Sequence, residues 1–222
     1  MWSNMSSIFN AVIVAAFLLL FIAISLDNLL RYHAGFSATS ARPEIEKSIA
    51  APLSLAGIGT IAFFLESFLY VYLTFSNGNL LPRIFLGFGG IQISALEPFG
   101  LLVMVLGYAI FIWSVIVRGR YATSWQMPKD HKLVDWGPYR YVRHPSYLGY
   151  FLMFMGFLLL WQNVLAIIPL LAIPAYVLIT RREEEMLVAR FGKQYLQYQN
   201  NVGRFVPKLP SSKSSRRGPE TS

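Results

Sequence analysis

Residues 148–180 read LGYFLMFMGFLLLWQNVLAIIPLLAIPAYVLIT, two apolar runs separated only by the tripeptide WQN at 161–163. Neither run contains a charged residue, and both are interpreted as membrane helices, the first of them short. The short polar spacer leaves room only for a tight turn, so the stretch predicts a helical hairpin embedded in a membrane. Pro169 and Pro174 lie inside the second run, where we expect a kinked or broken helix.

Three further apolar runs precede this hairpin, at residues 8–26, 53–75 and 99–117. Of the 222 residues, 55% are apolar and only 14% are charged, whereas a soluble domain has about 25% charged residues. The sequence therefore predicts an all-α, polytopic integral membrane protein with about five transmembrane helices. The absence of Cys excludes a disulfide scaffold and a thiolate metal site.

The basic residues are distributed unevenly between the segments that connect these runs. Eighteen of the 19 Lys and Arg residues fall on one side of a five-span arrangement. Because basic loops remain in the cytosol, this predicts that the third loop and the C-terminus are cytosolic and that the N-terminus is not. The net charge is +8, and we expect these cations to contact membrane lipids rather than nucleic acid.

The segment after the fifth run has an amphipathic pattern. Leu187, Phe191, Tyr195 and Tyr198 recur at helical spacing, which predicts a C-terminal amphipathic helix lying in the headgroup region. Gly192 in its interior disfavours a continuous helix.

Three isolated features suggest chemistry but have simpler interpretations. Glu66 lies within the second run, where we favour a structural polar contact or a protonated acid over a functional carboxylate. The GFGG sequence at 87–90 lacks the strand and helix that a phosphate-binding loop requires, so it predicts a plain loop. His131 and His144 have no matching Cys or carboxylate set, and we expect no metal site.

Two polar segments lie at the predicted cytosolic surface. Residues 126–149, QMPKDHKLVDWGPYRYVRHPSYLG, combine aromatic, cationic and turn-forming residues. Such a segment can bind a cationic or planar ligand or form an interfacial aromatic belt, and composition favours neither. The run RREEE at 181–185 closes the fifth apolar run at the same surface; such a run is ordinarily a solvated helix end.

Two blocks of sequence resemble the isoprenylcysteine carboxyl methyltransferase family. The first contains HKLV at 131–134, GPY at 137–139 and RHPSYLG at 143–149. The second contains Glu183, Glu184, Leu187, Phe191, Gly192, Tyr195, Tyr198 and Val202. The blocks are in the family's order, with a two-helix hairpin between them, and the resemblance covers residues 126–207.

The resemblance implies a cytosol-facing pocket for S-adenosylmethionine, roofed by the loop and the C-terminal helix. By motif match, the cofactor-binding residues would be Gln126, His131, Lys132, Leu133, Val134, Tyr139, His144, Pro145, Ser146, Tyr147, Glu183 and Glu184. Counting back from Phe191 favours Glu183 over Glu184. The family places a substrate-binding arginine four residues before this glutamate, but Ile179 occupies that position here. Arg181 and Arg182 are therefore the candidates for the catalytic role of orienting the substrate carboxylate.

The function implied by the resemblance is S-adenosylmethionine-dependent methylation of the C-terminal carboxylate of prenylated cysteine. The partner would be a prenylated protein or prenylcysteine, in the endoplasmic reticulum membrane of a eukaryote or otherwise the cell membrane. The alternatives are a methyltransferase for phosphatidylethanolamine or another small acceptor, a sterol reductase, and a non-enzymatic membrane protein. The expected organisation is N-terminal helices at 1–97, a methyltransferase core at 98–209 and a disordered tail at 210–222.

Overall fold

The structure of the protein is a computed structural model that describes residues 2–34, 47–76, 93–121 and 132–208. Within these ranges every regular element is helical. The α-helices are α1 (Trp2–Ala34), α2 (Lys47–Phe75), α3 (Leu96–Arg118), α4 (Pro145–Trp161), α5 (Ala172–Phe191) and α6 (Lys193–Asn201). Short 3₁₀ turns lie at Gly119–Tyr121, Gly137–Arg140, Val164–Ile167 and Pro169–Leu171. The predictions for Gln126, His131, the GFGG segment and the tail at 210–222 lie outside the described residues.

Four segments of the described chain are long and apolar enough to cross a bilayer. They are Met5–Asp27, Ala50–Phe75, Leu96–Arg118 and Val164–Phe191. Helix α4 is apolar but has only 17 residues, a length of about 25 Å against a hydrocarbon core of about 30 Å. The all-α, multi-pass membrane architecture predicted from the sequence is confirmed, whereas the count of five spans and the cytosolic side remain predictions.

The predicted tight turn between the two runs of the hairpin is present. Gln162 adopts the left-handed conformation (φ 48°, ψ 45°), and the Asn163 side chain accepts a hydrogen bond from the Leu165 backbone N–H at 3.0 Å. The break expected at the prolines is also present, as two 3₁₀ turns that precede α5. Pro169 begins the second turn and Pro174 lies in the first turn of α5, where a missing N–H removes no intrahelical hydrogen bond.

Helices α3 and α4 pack antiparallel at very short range. Glycines face each other at their contact: Gly100, Gly107, Gly149 and Gly156. A Cβ atom on Gly156 would lie 2.4 Å from the Met104 backbone nitrogen, so only glycine permits this approach. At the end where α3 finishes and α4 begins, the hydroxyls of Ser114 and Ser146 lie 2.7 Å apart. This packing fixes the spacing of the elements that build the site.

The bundle has an aromatic core and an apolar exterior. Phe63 of α2 is fully buried and packs against Phe154 and Phe157 of α4, with ring centroids 5.2 and 5.5 Å apart. Many large apolar side chains of α1, α2 and α3 are exposed, as expected for a lipid-facing surface. Glu66 is buried in α2, and its Oε2 atom has no hydrogen-bond partner among the described residues.

The amphipathic C-terminal segment is helical, and it is divided at Gly192, the residue that disfavours a continuous helix. Helix α5 ends at Phe191, Gly192 adopts φ +54° and ψ −125°, and α6 begins at Lys193. Glycine populates positive φ without steric cost, which explains why the break falls there. Tyr195 is only 1% exposed. The Tyr195 side of the helix therefore packs against the protein, and the position of the helix in the headgroup region stays a prediction.

Candidate active site

A cleft lies where the end of α3, residues 132–147, the last turns of α5 and helix α6 converge. It encloses about 520 Å³ of space, a volume that includes its open mouth. Its lining is mostly aromatic and charged: Arg118, Tyr121, Leu133, Val134, Tyr139, Arg143, His144, Ser146, Tyr147, Glu183, Leu187, Tyr195 and Tyr198.

Local sequence chemistry fixes the path of the loop that forms one wall. Gly137 adopts φ +61° and leads into the 3₁₀ turn that contains Pro138. Pro145 starts α4, where its fixed φ suits the first helical position. Between these two turns, the backbone N–H groups of Arg143 and His144 donate to the carbonyls of residues 203 and 204, at 2.8 and 3.1 Å. The segment after α6 therefore holds the loop in place.

Glu183 presents a buried carboxylate to the cleft. It is 4% exposed. The Tyr147 hydroxyl donates to its Oε1 atom at 2.7 Å, and the Nδ1 atom of His144 lies 3.5 Å from Oε2. Helix α5 supplies the glutamate and the start of α4 supplies both partners. The two resemblance blocks thus meet at this carboxylate.

Glu184 is equally buried but has a different environment. Its carboxylate accepts from the Arg143 Nε at 2.9 Å, from the Gln199 Nε2 at 3.3 Å and from the Arg204 guanidinium. Arg143 also donates to the backbone carbonyls of Gln199 and Val202. We call Glu184, Arg143, Gln199 and Arg204 the clasp. It connects the loop, α5 and the chain after α6, and Glu184 does not line the cleft.

His144 lies between the two glutamates. Its Nε2 atom is 3.1 Å from the Oε1 atom of Glu184, while Nδ1 faces Glu183. Burial alone would lower the pKa of His144, but the hydrogen bonds and charges of the two carboxylates outweigh it and raise the pKa above its usual value of 6.5. The imidazolium form is therefore stabilised between two anions.

Tyrosines form much of the remaining wall. The Tyr198 hydroxyl donates to the Tyr139 backbone carbonyl, which connects α6 to the loop. Burial raises the pKa of Tyr195 and of Tyr198, so both remain neutral phenols. Two buried polar atoms of the lining, the Tyr139 hydroxyl and the Arg118 Nε, have no hydrogen-bond partner among the described residues. Since buried polar groups are nearly always paired, this wall is suited to a polar ligand.

The cleft brings together most of the described residues expected to bind the cofactor. Those in its lining are Leu133, Val134, Tyr139, His144, Ser146, Tyr147 and Glu183. Three lie outside the lining: Lys132 is exposed, Pro145 is buried at the start of α4, and Glu184 belongs to the clasp. Arg181 and Arg182 also lie outside it. Arg181 is exposed, and Arg182 pairs with Glu185 at 2.6 Å.

Six residues of the lining were not among the expected site residues: Arg118, Tyr121, Arg143, Leu187, Tyr195 and Tyr198. The second resemblance block contains Leu187, Tyr195 and Tyr198, but their spacing was interpreted as an amphipathic face. Arg143 begins the RHPSYLG motif and was interpreted only as part of it. Arg118 was counted only as a cation that sets the orientation of the chain. Its position at the end of an apolar run, beside the polar loop, is the signal that could have identified it.

The region around the cleft is similar to known proteins. The sequence model of the phospholipid methyltransferase family matches residues 96–194, the part that contains α3, α4, α5 and most of the cleft. The C-terminal half of the chain is thus similar in sequence to phospholipid methyltransferases.

The chain is also similar to protein-S-isoprenylcysteine O-methyltransferases. It is 33% identical to that of Tribolium castaneum over 122 residues, which cover 52% of this chain and 43% of the relative. It is 39% identical to that of Schizosaccharomyces pombe over 85 residues, covering 37% of this chain and 36% of the relative. The chain thus spans less than half the length of these two relatives. The resemblance to the isoprenylcysteine carboxyl methyltransferase family is confirmed.

A solved structure gives a further match. The eukaryotic intramembrane Ras methyltransferase, isoprenylcysteine carboxyl methyltransferase, is 27% identical to the chain, with a TM-score of 0.46. The match covers 71% of this chain and 53% of the other.

Proposed function

We propose that this protein is an S-adenosylmethionine-dependent O-methyltransferase that esterifies the C-terminal carboxylate of a prenylated cysteine. One observation carries the proposal. His144, Tyr147 and Glu183 come from two sequence blocks about 40 residues apart, yet they meet around one cleft at an end of an apolar helical bundle. The names of the similar relatives support the acceptor, and the buried anion in the cleft supports a cationic cofactor.

The residues of the cleft fit S-adenosylmethionine. That cofactor carries a sulfonium, an ammonium group, a carboxylate and an adenine, and when bound it supplies an electrophilic methyl group. Glu183 provides a buried negative charge, and neighbouring tyrosine rings offer faces that favour cations. Leu133, Val134 and Leu187 provide apolar contact for a planar base. The buried hydroxyl of Tyr139 provides an unmatched polar atom that a ligand can satisfy.

In the proposed reaction the protein mainly positions the reactants. A carboxylate acceptor is already ionised near pH 7, so no general base is needed. Tyr147 and His144 fix the orientation of the Glu183 carboxylate, while the clasp holds the loop and α5 together. Such an aromatic-walled cleft favours alignment of the reacting groups, and a bound substrate would displace water from around the weak nucleophile.

The bundle suits an acceptor that carries a lipid chain. Burial in the bilayer stabilises a prenyl chain by about 0.8 kcal/mol per CH₂ group. The exposed apolar side chains of α1, α2 and α3 support a position of the cleft next to such a phase. We propose that the cleft opens toward the cytosol, as the basic residues predict, and that the membrane is the endoplasmic reticulum in a eukaryote.

The role of Arg181 and Arg182 in orienting the acceptor carboxylate stays a prediction. Both lie one to two residues before Glu183 on α5, but neither lines the cleft. An acceptor lying along the cytosolic end of α5 would bring its carboxylate close to them.

Phosphatidylethanolamine is the second candidate acceptor, because the matching family model is that of phospholipid methyltransferases. An ethanolamine headgroup must lose a proton before it attacks, and a nearby base would assist it. His144 is poorly suited to that role, since both of its ring nitrogens face carboxylates. This geometry favours the carboxylate acceptor.

A methyl-transfer assay tests the proposal. Purified protein in lipid nanodiscs receives methyl-labelled S-adenosylmethionine with either N-acetyl-S-farnesylcysteine or phosphatidylethanolamine. We expect base-labile methyl ester on the farnesylated compound only. Label found only as base-stable N-methyl lipid would reject the carboxylate acceptor, and no transfer to either compound would reject both.

A further inference from the structure

Arg118 occupies an unusual position for a helix-terminal cation. It is the last residue of α3, it lines the cleft, and its Nε atom is buried without a hydrogen-bond partner among the described residues. It also forms no ion pair with any carboxylate in that part of the chain. The guanidinium groups of Arg143 and Arg204, by contrast, both bind Glu184.

A purely structural role does not account for this arrangement. A cation in the last turn of a helix interacts favourably with the helix dipole, but a solvated side chain serves that purpose equally well. The last intrahelical hydrogen bond of α3, from the Gly119 backbone N–H to the Val115 carbonyl, also forms without the Arg118 side chain. A buried donor left unmatched at the wall of an open cleft indicates a partner that arrives with a ligand.

The chemistry of a guanidinium defines that partner as an anion. Its planar set of donors matches a carboxylate in two parallel hydrogen bonds. The carboxylate of Glu183, on the same cleft, is already engaged by Tyr147 and His144. The cleft therefore presents a buried anion at Glu183 and an unmatched cationic donor at Arg118. This pair of charges is complementary to the ammonium and carboxylate of an amino-acid moiety.

We propose that Arg118 binds the α-carboxylate of an amino-acid moiety in the cleft. The inference rests on the proposed function, in which two reactants carry such a group: the methionine part of the cofactor and the cysteine part of the acceptor. The two sources present the same chemistry to the guanidinium, so they are separated by experiment. No residue of the sequence-based site, Arg181 and Arg182 included, places a guanidinium in the cleft lining.

The first arm of the test measures binding without turnover. S-adenosylhomocysteine and its decarboxylated analogue, which keeps the adenosine, thioether and amine, are titrated into the wild type, Arg118→Gln and Arg118→Lys by calorimetry. A charge-assisted hydrogen bond corresponds to about 10- to 100-fold in affinity. If the cofactor is the source, the wild type prefers S-adenosylhomocysteine by about that factor. Arg118→Gln then loses the preference, and Arg118→Lys retains part of it.

The second arm measures KM for N-acetyl-S-farnesylcysteine and the inhibition constant of its carboxamide in the same variants. If the acceptor is the source, Arg118→Gln raises this KM about 10-fold or more and leaves the inhibition by the carboxamide unchanged. Cofactor preference is then unaffected. Arg140→Gln serves as the matched control, since it removes an exposed arginine of the loop that lies outside the cleft lining.

Two results would overturn the inference. The first is that neither Arg118→Gln nor Arg118→Lys changes the preference for the cofactor carboxylate or the KM for the acceptor. The other is an equal loss of affinity for the ligands with and without a carboxylate, which is the result of a structural role. If Arg118→Gln does not fold, Arg118→Lys is compared with the wild type instead. A wild type that shows the carboxylate preference but methylates no acceptor would reject the proposed function and leave the inference intact.

Discussion

Glu183 lies in the wall of the cleft and Glu184 lies in the clasp. The two glutamates are adjacent on α5, but their surroundings indicate different roles. Glu183 and Glu184 are both 4% exposed. The Glu184 carboxylate is surrounded by the three donor side chains of the clasp and by His144, so no part of it faces open space. Glu183 contacts Tyr147 and His144 and also borders open space. A buried carboxylate with saturated partners stabilises the fold, whereas one that borders a cleft can meet a ligand.

This difference explains why a motif alone does not separate the two glutamates. The resemblance covers both, and counting along the sequence favours Glu183 without a physical reason. The structure supplies the reason, since each residue has a distinct set of partners. Variants of the two residues should therefore fail in different ways.

The largest effect is expected for Glu184→Ala. Removing this carboxylate leaves the charges of Arg143, His144 and Arg204 without their shared partner. Breaking a buried ion pair in this way costs about 3–5 kcal/mol. Thermal unfolding in nanodiscs, followed by circular dichroism and tryptophan fluorescence, should show a marked loss of stability. A variant as stable as the wild type would show that the clasp does not hold the loop.

A smaller and different effect is expected for Glu183→Gln. The amide keeps the shape and still accepts from the Tyr147 hydroxyl, but it removes the negative charge that faces the cleft. The affinity for S-adenosylmethionine should fall about 10- to 100-fold, with a loss of stability well below that of Glu184→Ala. The uncharged 5′-methylthioadenosine is the matched ligand and should bind both proteins alike. Unchanged cofactor affinity in this variant would remove Glu183 from the site.

The third prediction concerns how the stability of the protein depends on pH through His144, which contacts both Glu183 in the cleft and Glu184 in the clasp. The carboxylates raise the pKa of His144 above its ordinary value of 6.5, so the folded protein binds this proton more tightly than the unfolded chain. The resulting stability is fully present below pH 6.5 and is lost as the pH rises through the folded pKa. Unfolding measured between pH 6 and 9 should therefore show stability that falls with pH in the wild type. The decline should be weaker in His144→Gln; equal slopes in both proteins would contradict this account.

The smallest effect on stability is expected for Arg182→Gln. Its partner Glu185 lies three residues along α5, and the side chains are 38% and 62% exposed. Such surface pairs contribute about 0–1 kcal/mol. The unfolding midpoint should stay close to that of the wild type. The KM for N-acetyl-S-farnesylcysteine in this variant and in Arg181→Gln then tests whether either arginine orients the acceptor carboxylate.

The parts of the fold that depend on local patterns could be predicted from the sequence. The apolar runs predicted the helices, the WQN tripeptide at 161–163 predicted the turn, and Pro169 predicted the break before α5. The close packing of α3 on α4 could not be predicted, because it depends on glycines from two distant segments that meet face to face. The division at Gly192 was visible only as an unfavourable residue within an otherwise regular pattern.

The candidate site shows the same distinction. Tyr147 and Glu183 were expected to line the site because they match residues of a family motif. Arg118 was missed as a cleft residue because its significance lies in an unmatched buried atom, which is a property of packing. The same holds for Tyr195, whose helical spacing is compatible with a lipid-facing position and with a buried one.

Photochemical cross-linking of labelled S-adenosylmethionine to the purified protein tests the central claim, that the cleft is the cofactor site, most directly. Ultraviolet irradiation followed by proteolysis and mass spectrometry would locate the label, with excess S-adenosylhomocysteine as competitor. The account predicts competitor-sensitive label on peptides from residues 132–147 and 183–198, reduced in Glu183→Gln. Competitor-sensitive label confined to α1 or α2, or no such label at all, would contradict it.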